Sequence, residues 1–329
     1  MSGIKLSSYR NSIAAVLAGA LLASSAAHAD SVGVHGLLYS GGSLAQFDVA
    51  GAFSTGAGGI NDTGQIVGFF SNGTGYHGFV DTGGSFTQLD VPGAVSTSAA
   101  GINNAGQIVG FFDTGTSGHG FLESGGTFTP LDFPGALYTV ATGINDAGQI
   151  VGFFDNSTGS HGFLDTGGSF SQLDVTGATN TGAIGINDAG EVVGDFSDGT
   201  GYHGFLDVGG TITQIDFPGA TFTVATGIND LGQIVGYFND SVGASRAFLD
   251  TGGSFTQIDW PSTLYTEVAY TELDGINDAG QAVGTFEVNP VRVPEPASLS
   301  ILSVGLALAG VARMRKRAIQ KQTPNRSIN

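Results

Sequence analysis

The sequence predicts an all-β fold, a six-bladed β-propeller, on three observations. A unit recurs through the middle of the chain at a spacing of 42 residues. Each unit holds four short apolar runs separated by Gly- and Asn-rich turns. The repeated region begins and ends with complementary halves of a unit. Four antiparallel strands in about 40–50 residues make one propeller blade.

The repeat is read most directly from Gly-Ile-Asn, whose Ile falls at 60, 102, 144, 186, 228 and 276. Four of these spacings are 42 residues and the last is 48. A second motif, His-Gly followed by two apolar residues, starts at His35, His77, His119, His161 and His203, with Arg246-Ala247-Phe248-Leu249 in the sixth place. Within one unit, Thr97 to Asn103 reads as a first strand closed by an Asn-x-x-Gly hairpin turn. Gln107 to Phe112 is the second strand, His119 to Leu122 the third and Phe128 to Phe133 the fourth, with Pro134-Gly135 returning the chain to the next unit.

The body begins with strands three and four of a unit, His35 to Val49, and ends with strands one and two, Thr271 to Phe286. Paired, they complete a sixth blade and remove open sheet edges. First strands then line a crowded axis, which suits Ala57, Ala99, Ala141, Ala183 and Ala225 and the Gly before each repeated Ile. Ile and Phe of the middle strands fill the layers between blades.

The ends read differently. Residues 1–29 form a secretory signal peptide: Lys5 and Arg10, an apolar run from Ile13 to Leu22 forming a signal helix, and small residues at Ala27 and Ala29 for cleavage. The propeller occupies 30–292. Residues 293–317 then hold Pro294-Glu295-Pro296, a sixteen-residue apolar stretch from Ala297 to Ala312, and the basic cluster Arg313, Arg315, Lys316 and Arg317. Such a stretch is a short membrane helix whose basic flank stays cytoplasmic, placing the body outside. Residues 318–329 are a basic, polar tail.

Charge separates body from ends. Between Asp30 and Arg292 only Arg246 and Arg292 are basic, against 27 acidic residues, a net charge of −25. Such a surface repels nucleic acid and anionic lipid. The chain has no cysteine, which excludes disulfides, thiolate metal sites and cysteine nucleophiles.

The C-terminal triplet resembles the PEP-CTERM sorting signal, which implies recognition by an exosortase, transient residence in the inner membrane and delivery to the surface or extracellular matrix of a Gram-negative bacterium. The twelve residues after the basic cluster extend beyond that pattern. The 42-residue unit, with Gly-Ile-Asn, Gly-Gln-Ile-Val-Gly and His-Gly-Phe, resembles the HAF repeat of extracellular bacterial proteins, where this chain mostly has Gly for the Ala of His-Ala-Phe. That resemblance implies architecture and export, and no chemistry.

Residues present in every unit serve the blade first. His77, His119, His161 and His203 lie on third strands, too far from the axis to share an ion, and are expected to brace blades by bonding an Asp or Asn. The Asn-Asp turns have oxygen donors suited to Ca²⁺ but lack an Asp-x-Asp-x-Asp-Gly loop, so no cofactor or metal is assigned and a calcium-stabilised module stays an alternative. Thr55, Thr97, Thr139, Thr181, Thr223 and Thr271 recur, and stand as a possible ring of hydroxyls at one channel mouth.

Departures from the repeat are the candidate ligand-binding residues. Asp195 replaces an aromatic, Arg246 replaces the His, and the insertion near the last unit carries Trp260, Tyr265, Glu267, Tyr270 and Glu272. Aromatic rings beside carboxylates suit sugars. The leading expectation is an exported, non-catalytic propeller that binds polysaccharide or another envelope component. A glycan-active hydrolase or lyase is the alternative; a sialidase is excluded, because two arginines cannot form its carboxylate-binding cluster.

Overall fold

The computed structural model describes residues 33–261 and 267–289. The expected signal peptide with Ala27 and Ala29, the sorting signal from Pro294 to Arg317, the tail and Tyr265 lie outside the described residues.

Each unit folds into four antiparallel strands because its apolar residues alternate between short turns. In the first complete blade these are Ser54–Ile60, Gln65–Ser71, Tyr76–Thr82 and Ser85–Leu89, hydrogen-bonded in chain order. Blades two to five repeat the pattern over 96–131, 138–173, 180–215 and 223–258. The turn between first and second strands is closed by Asn and Gly: Gly64 adopts a φ of 80° and donates its N–H to the Asn61 carbonyl. A side chain at that φ is strained, which accounts for Gly in every copy.

The sixth blade is composite. Glu267–Ile276 pairs with Ala282–Asn289, which pairs antiparallel with Gly33–Ser40, which in turn pairs with Ser43–Phe47. Leu37 stands opposite Gly284 and His35 opposite Phe286. The two half-units therefore close the ring as the sequence predicts. Neighbouring blades also meet through single parallel pairs, Val34 with Ser54, Ser245 with Tyr270 and Tyr202 with Phe222.

The core lies in layers between blades. Val67 of the first blade packs with Ala99, Ile102, Ile108, Phe112 and Phe121 of the second, and the same arrangement recurs around the ring. Phe79, Phe121, Phe163, Phe205 and Phe248 are wholly buried, each worth about 1.5–3 kcal/mol relative to exposure.

Two expectations about the first strand are corrected. The five alanines point mainly into the inter-blade layers, although Ala57 and Ala99 also border the axis. A β-bulge after each alanine turns the next residue toward the axis instead. The recurrent threonines form no ring at a mouth. They are buried, and each hydroxyl accepts a backbone N–H from the end of the preceding fourth strand: Val49 to Thr55 at 3.1 Å, Val91 to Thr97 at 3.0 Å, Trp260 to Thr271 at 3.3 Å.

Candidate functional site: the axial funnel

Polar residues that recur in every blade are engaged with one another. His77 Nδ1 lies 3.1 Å from Asp90 Oδ1, His119 Nδ1 2.9 Å from Asp132 Oδ1, His161 Nδ1 3.0 Å from Asp174 Oδ2 and His203 Nδ1 3.1 Å from Asp216 Oδ2. Each pair ties the third strand to the end of the fourth. His35 and Asp48 do the same in the sixth blade. Arg246 takes the histidine's place in the fifth, with Nε 3.2 Å from Asp240 and Nη1 3.7 Å from Asp259.

In blade two the histidine also meets a hydroxyl, Ser117 Oγ at 2.7 Å from Nε2. The order Ser117–His119–Asp132 has the connectivity of a nucleophile triad. Thr74, Thr158 and Thr200 make the same contact in three other blades. A trio repeated around the ring is a loop anchor rather than one active centre.

The Asn-Asp turns build two closed rings at one end of the axis. Asn61 Nδ2 donates to the Asn103 carbonyl, Asn103 to Asn145, Asn145 to Asn187, Asn187 to Asn229, Asn229 to Asn277 and Asn277 back to Asn61, all at 3.0–3.2 Å. Just outside, each Asp backbone N–H donates to the side chain of the next blade's Asp, with Asn104 standing in once. Asn104 Nδ2 donates to Asp62 at 2.8 Å and Asp146 at 3.0 Å. Burial, then the neighbouring Asp146, Asp230 and Asp278, raises the Asp188 carboxyl above its ordinary range. Among the described residues no group of three or more His, Asp or Glu is arranged to hold a metal ion.

From that floor the axis opens into a cavity of about 90 Å³, bordered by Phe69, Phe111, Val140, Thr142, Tyr237 and Asp274 among others. Here the repeat stops repeating. The bulge residue is Gly58, Ala100, Thr142, Ile184, Thr226 and Asp274 in successive blades. The aromatic position of the second strand is Phe69, Phe111, Phe153, Asp195, Tyr237 and Thr285. Opposite these in register stand Gly56, Ser98, Val140, Gly182, Val224 and Glu272. Tyr138 lies over Phe111, ring centroids 6.0 Å apart, and Phe222 over Tyr237 at 6.0 Å. Tyr76, Tyr202 and Tyr270 occupy neighbouring positions at the same end. Phe53, Val95 and Leu137 are exposed just before the first strands of three consecutive blades.

Asp274 borders this cavity, and further carboxyls lie beside it on blade six. Glu272 is buried, and its Oε1 accepts the Ser245 hydroxyl at 3.1 Å. Burial, with a contribution from Glu287, pushes its carboxyl up to about 7. Burial, then Glu272, raises Asp274 well above the carboxylate range, and burial raises Glu287. The Tyr270 hydroxyl is raised by burial and by Glu272, Glu287 and Asp274.

Of the sequence candidates, Asp195 and Glu272 occupy positions whose counterparts in other blades border the cavity, and Tyr270 lies beside Glu272. Trp260 is elsewhere: it is buried in the layer between blades five and six, stacked on Phe286 with centroids 4.0 Å apart. Arg246 is an outer brace. Glu267 starts the first strand of blade six opposite Asn289. Asp274 and Thr285 were not singled out by sequence; the signal for both is an unlike residue at an axial position of the repeat.

No known protein-family model matches the sequence, and no curated protein matches it. Solved structures similar to the chain include a virginiamycin B lyase from Staphylococcus aureus, with 15% identity over 79% of this chain and 90% of that one at a TM-score of 0.44. TolB from Acinetobacter baumannii has 11% identity over 78% and 64%, at 0.48. The fungal Aleuria aurantia lectin, a six-bladed β-propeller that recognises fucose, has 15% identity over 62% and 78%, at 0.42.

Proposed function

We propose that this protein is an exported, surface- or matrix-associated propeller that binds polysaccharide through its axial funnel. One observation carries the reading: blades that agree at their bracing His, Asp, Asn and Thr positions disagree at the positions facing the axis. A scaffold alone gains nothing from that asymmetry, whereas recognition of an asymmetric ligand requires it. Aromatic faces at Phe69, Phe111 and Tyr237 suit the C–H faces of sugar rings, and the carboxyls of Glu272 and Asp274 suit hydroxyls. In this reading Pro294-Glu295-Pro296 and the basic cluster from Arg313 to Arg317 are read by an exosortase, and the membrane contact is transient. Retention of the full chain on the organism's own exopolysaccharide, weakened tenfold by Tyr237→Ala, is the expected result. No retention on any exopolysaccharide or envelope fraction would set the reading aside.

A second reading, a glycan hydrolase, draws on Glu272, whose carboxyl holds its proton to near neutral pH as a general acid must. Glycan turnover abolished by Glu272→Gln would establish it.

A further inference from the structure

Among the described residues the acidic side of the funnel has no cation of its own. Blade six contributes Glu272 and Asp274 where the other blades have no charged residue at either position. Among the described residues the one arginine is Arg246, already engaged with Asp240 and Asp259, and no lysine occurs between 30 and 292. Asp274 Oδ2 is buried and accepts no hydrogen bond among the described residues. Thr285 is wholly buried, stands opposite Glu272 in register, and its hydroxyl likewise has no hydrogen-bond partner. That hydroxyl faces the neighbouring blade: a Cβ on Gly56 would lie 3.2 Å from it.

Buried carboxylates without a partner are costly, and a donor or cation supplied by a ligand offsets that cost. Across the same cavity lie Phe69, Phe111 and Tyr237. Aromatic faces attract cations, most strongly where water is excluded. A neutral sugar would satisfy the orphan Asp274 oxygen but would leave the aromatic quadrupoles unused. The acidic body also steers cations toward its surface.

We infer that the funnel takes a sugar residue bearing a protonated amine, with the ammonium between Asp274 and the faces of Phe69, Phe111 and Tyr237. This rests on the glycan-binding reading and names its substrate class as an amino sugar without N-acetylation.

The test compares two oligomers of one length, glucosamine tetramer and N-acetylglucosamine tetramer, titrated calorimetrically into the full chain at physiological salt. The amine-bearing oligomer is expected to bind at least tenfold more tightly. Asp274→Asn should reduce that preference at least fivefold, with circular dichroism unchanged. Asp90→Asn removes a carboxyl away from the axis and should leave the preference intact. Equal binding of both oligomers overturns the inference and leaves glycan binding standing. A preference that survives Asp274→Asn, or falls equally with Asp90→Asn, overturns it as general charge attraction. Binding of neither oligomer overturns it too, and joined to a lack of retention on exopolysaccharide it removes the underlying reading.

Discussion

Asn277 donates from Nδ2 to the carbonyl oxygen of Asn61 at 3.0 Å, joining residues 216 positions apart. The contact is the same one that joins Asn145 to Asn187 at 3.0 Å within the array. Each Asn also accepts the N–H four residues on, Gln281 at 3.0 Å and Gln149 at 2.9 Å. One side chain thus fixes its own hairpin and locks the next blade.

Equivalence of these joints is testable. Asn277→Ala and Asn145→Ala each leave a buried carbonyl short of its donor and are each expected to cost about 1–3 kcal/mol in urea unfolding. Similar values with unchanged m fit a ring closed by six like contacts. A cost at Asn277 near zero would mean that the closing joint is not held this way.

Asn104 interrupts a ring of acids and donates to two of them. Asn104→Asp removes both donations and adds a like charge. The variant should lose under about 1 kcal/mol of stability at neutral pH and low salt, as suits exposed groups. The deficit should shrink as salt screens the ring. A variant as stable as the parent at low salt would show that Asn104 relieves nothing.

Close approach of backbones sets a harsher limit at the second strand. A Cβ on Gly152 would lie 2.0 Å from the Val140 carbonyl oxygen and 2.7 Å from Phe163. Neither neighbour can retreat, since both belong to the packed sheet. Gly152→Ala is expected to cost about 3 kcal/mol. Gly148 has open space around it but a φ of 75°, so Gly148→Ala should cost only about 1–2 kcal/mol, the strain of a left-handed alanine. The order of the two costs is the result to check by thermal unfolding.

How much of this was legible in sequence follows from what repeats. A 42-residue period fixes blade size, and the half-units at His35 and Thr271 fix closure, because pairing of identical units is transitive around a ring. The side chains at the axis were not legible. A bulge of one residue turns Gly58 toward the channel and Ala57 mainly into the layer beside it, and alternation alone does not reveal a bulge. Trp260 misled for a related reason: it looks like an inserted surface aromatic, yet it fills the place that Phe133 and Phe217 fill elsewhere, stacked on a second-strand ring.

The bracing pairs should be individually weak. His119 and Asp132 are both partly exposed, so water replaces much of what either loses. His119→Ala is expected to cost under about 1 kcal/mol and to leave glycan retention unchanged. A loss of retention with intact folding would move function from the axis to the rim.

Glu272 makes the protein's stability depend on pH in an uncommon direction. Its carboxyl is pushed up to about 7 from an ordinary 4.5, chiefly by burial. Between those values the folded chain holds the proton more tightly than the unfolded chain, so stability falls as pH rises through this window and levels off above 7. At full ionisation the penalty is about 3 kcal/mol, taking about 1.4 kcal/mol for each pH unit. Asp274 and Glu287 are shifted the same way by burial, so they steepen the decline. Glu272→Gln keeps the shape and cannot ionise. It should match the parent below pH 4.5, exceed its stability above pH 7, and flatten part of the decline between. A melting temperature that rises from pH 4.5 to 7 in the parent, or a Gln variant no more stable than the parent above 7, would place the Glu272 carboxyl in water rather than in the protein interior.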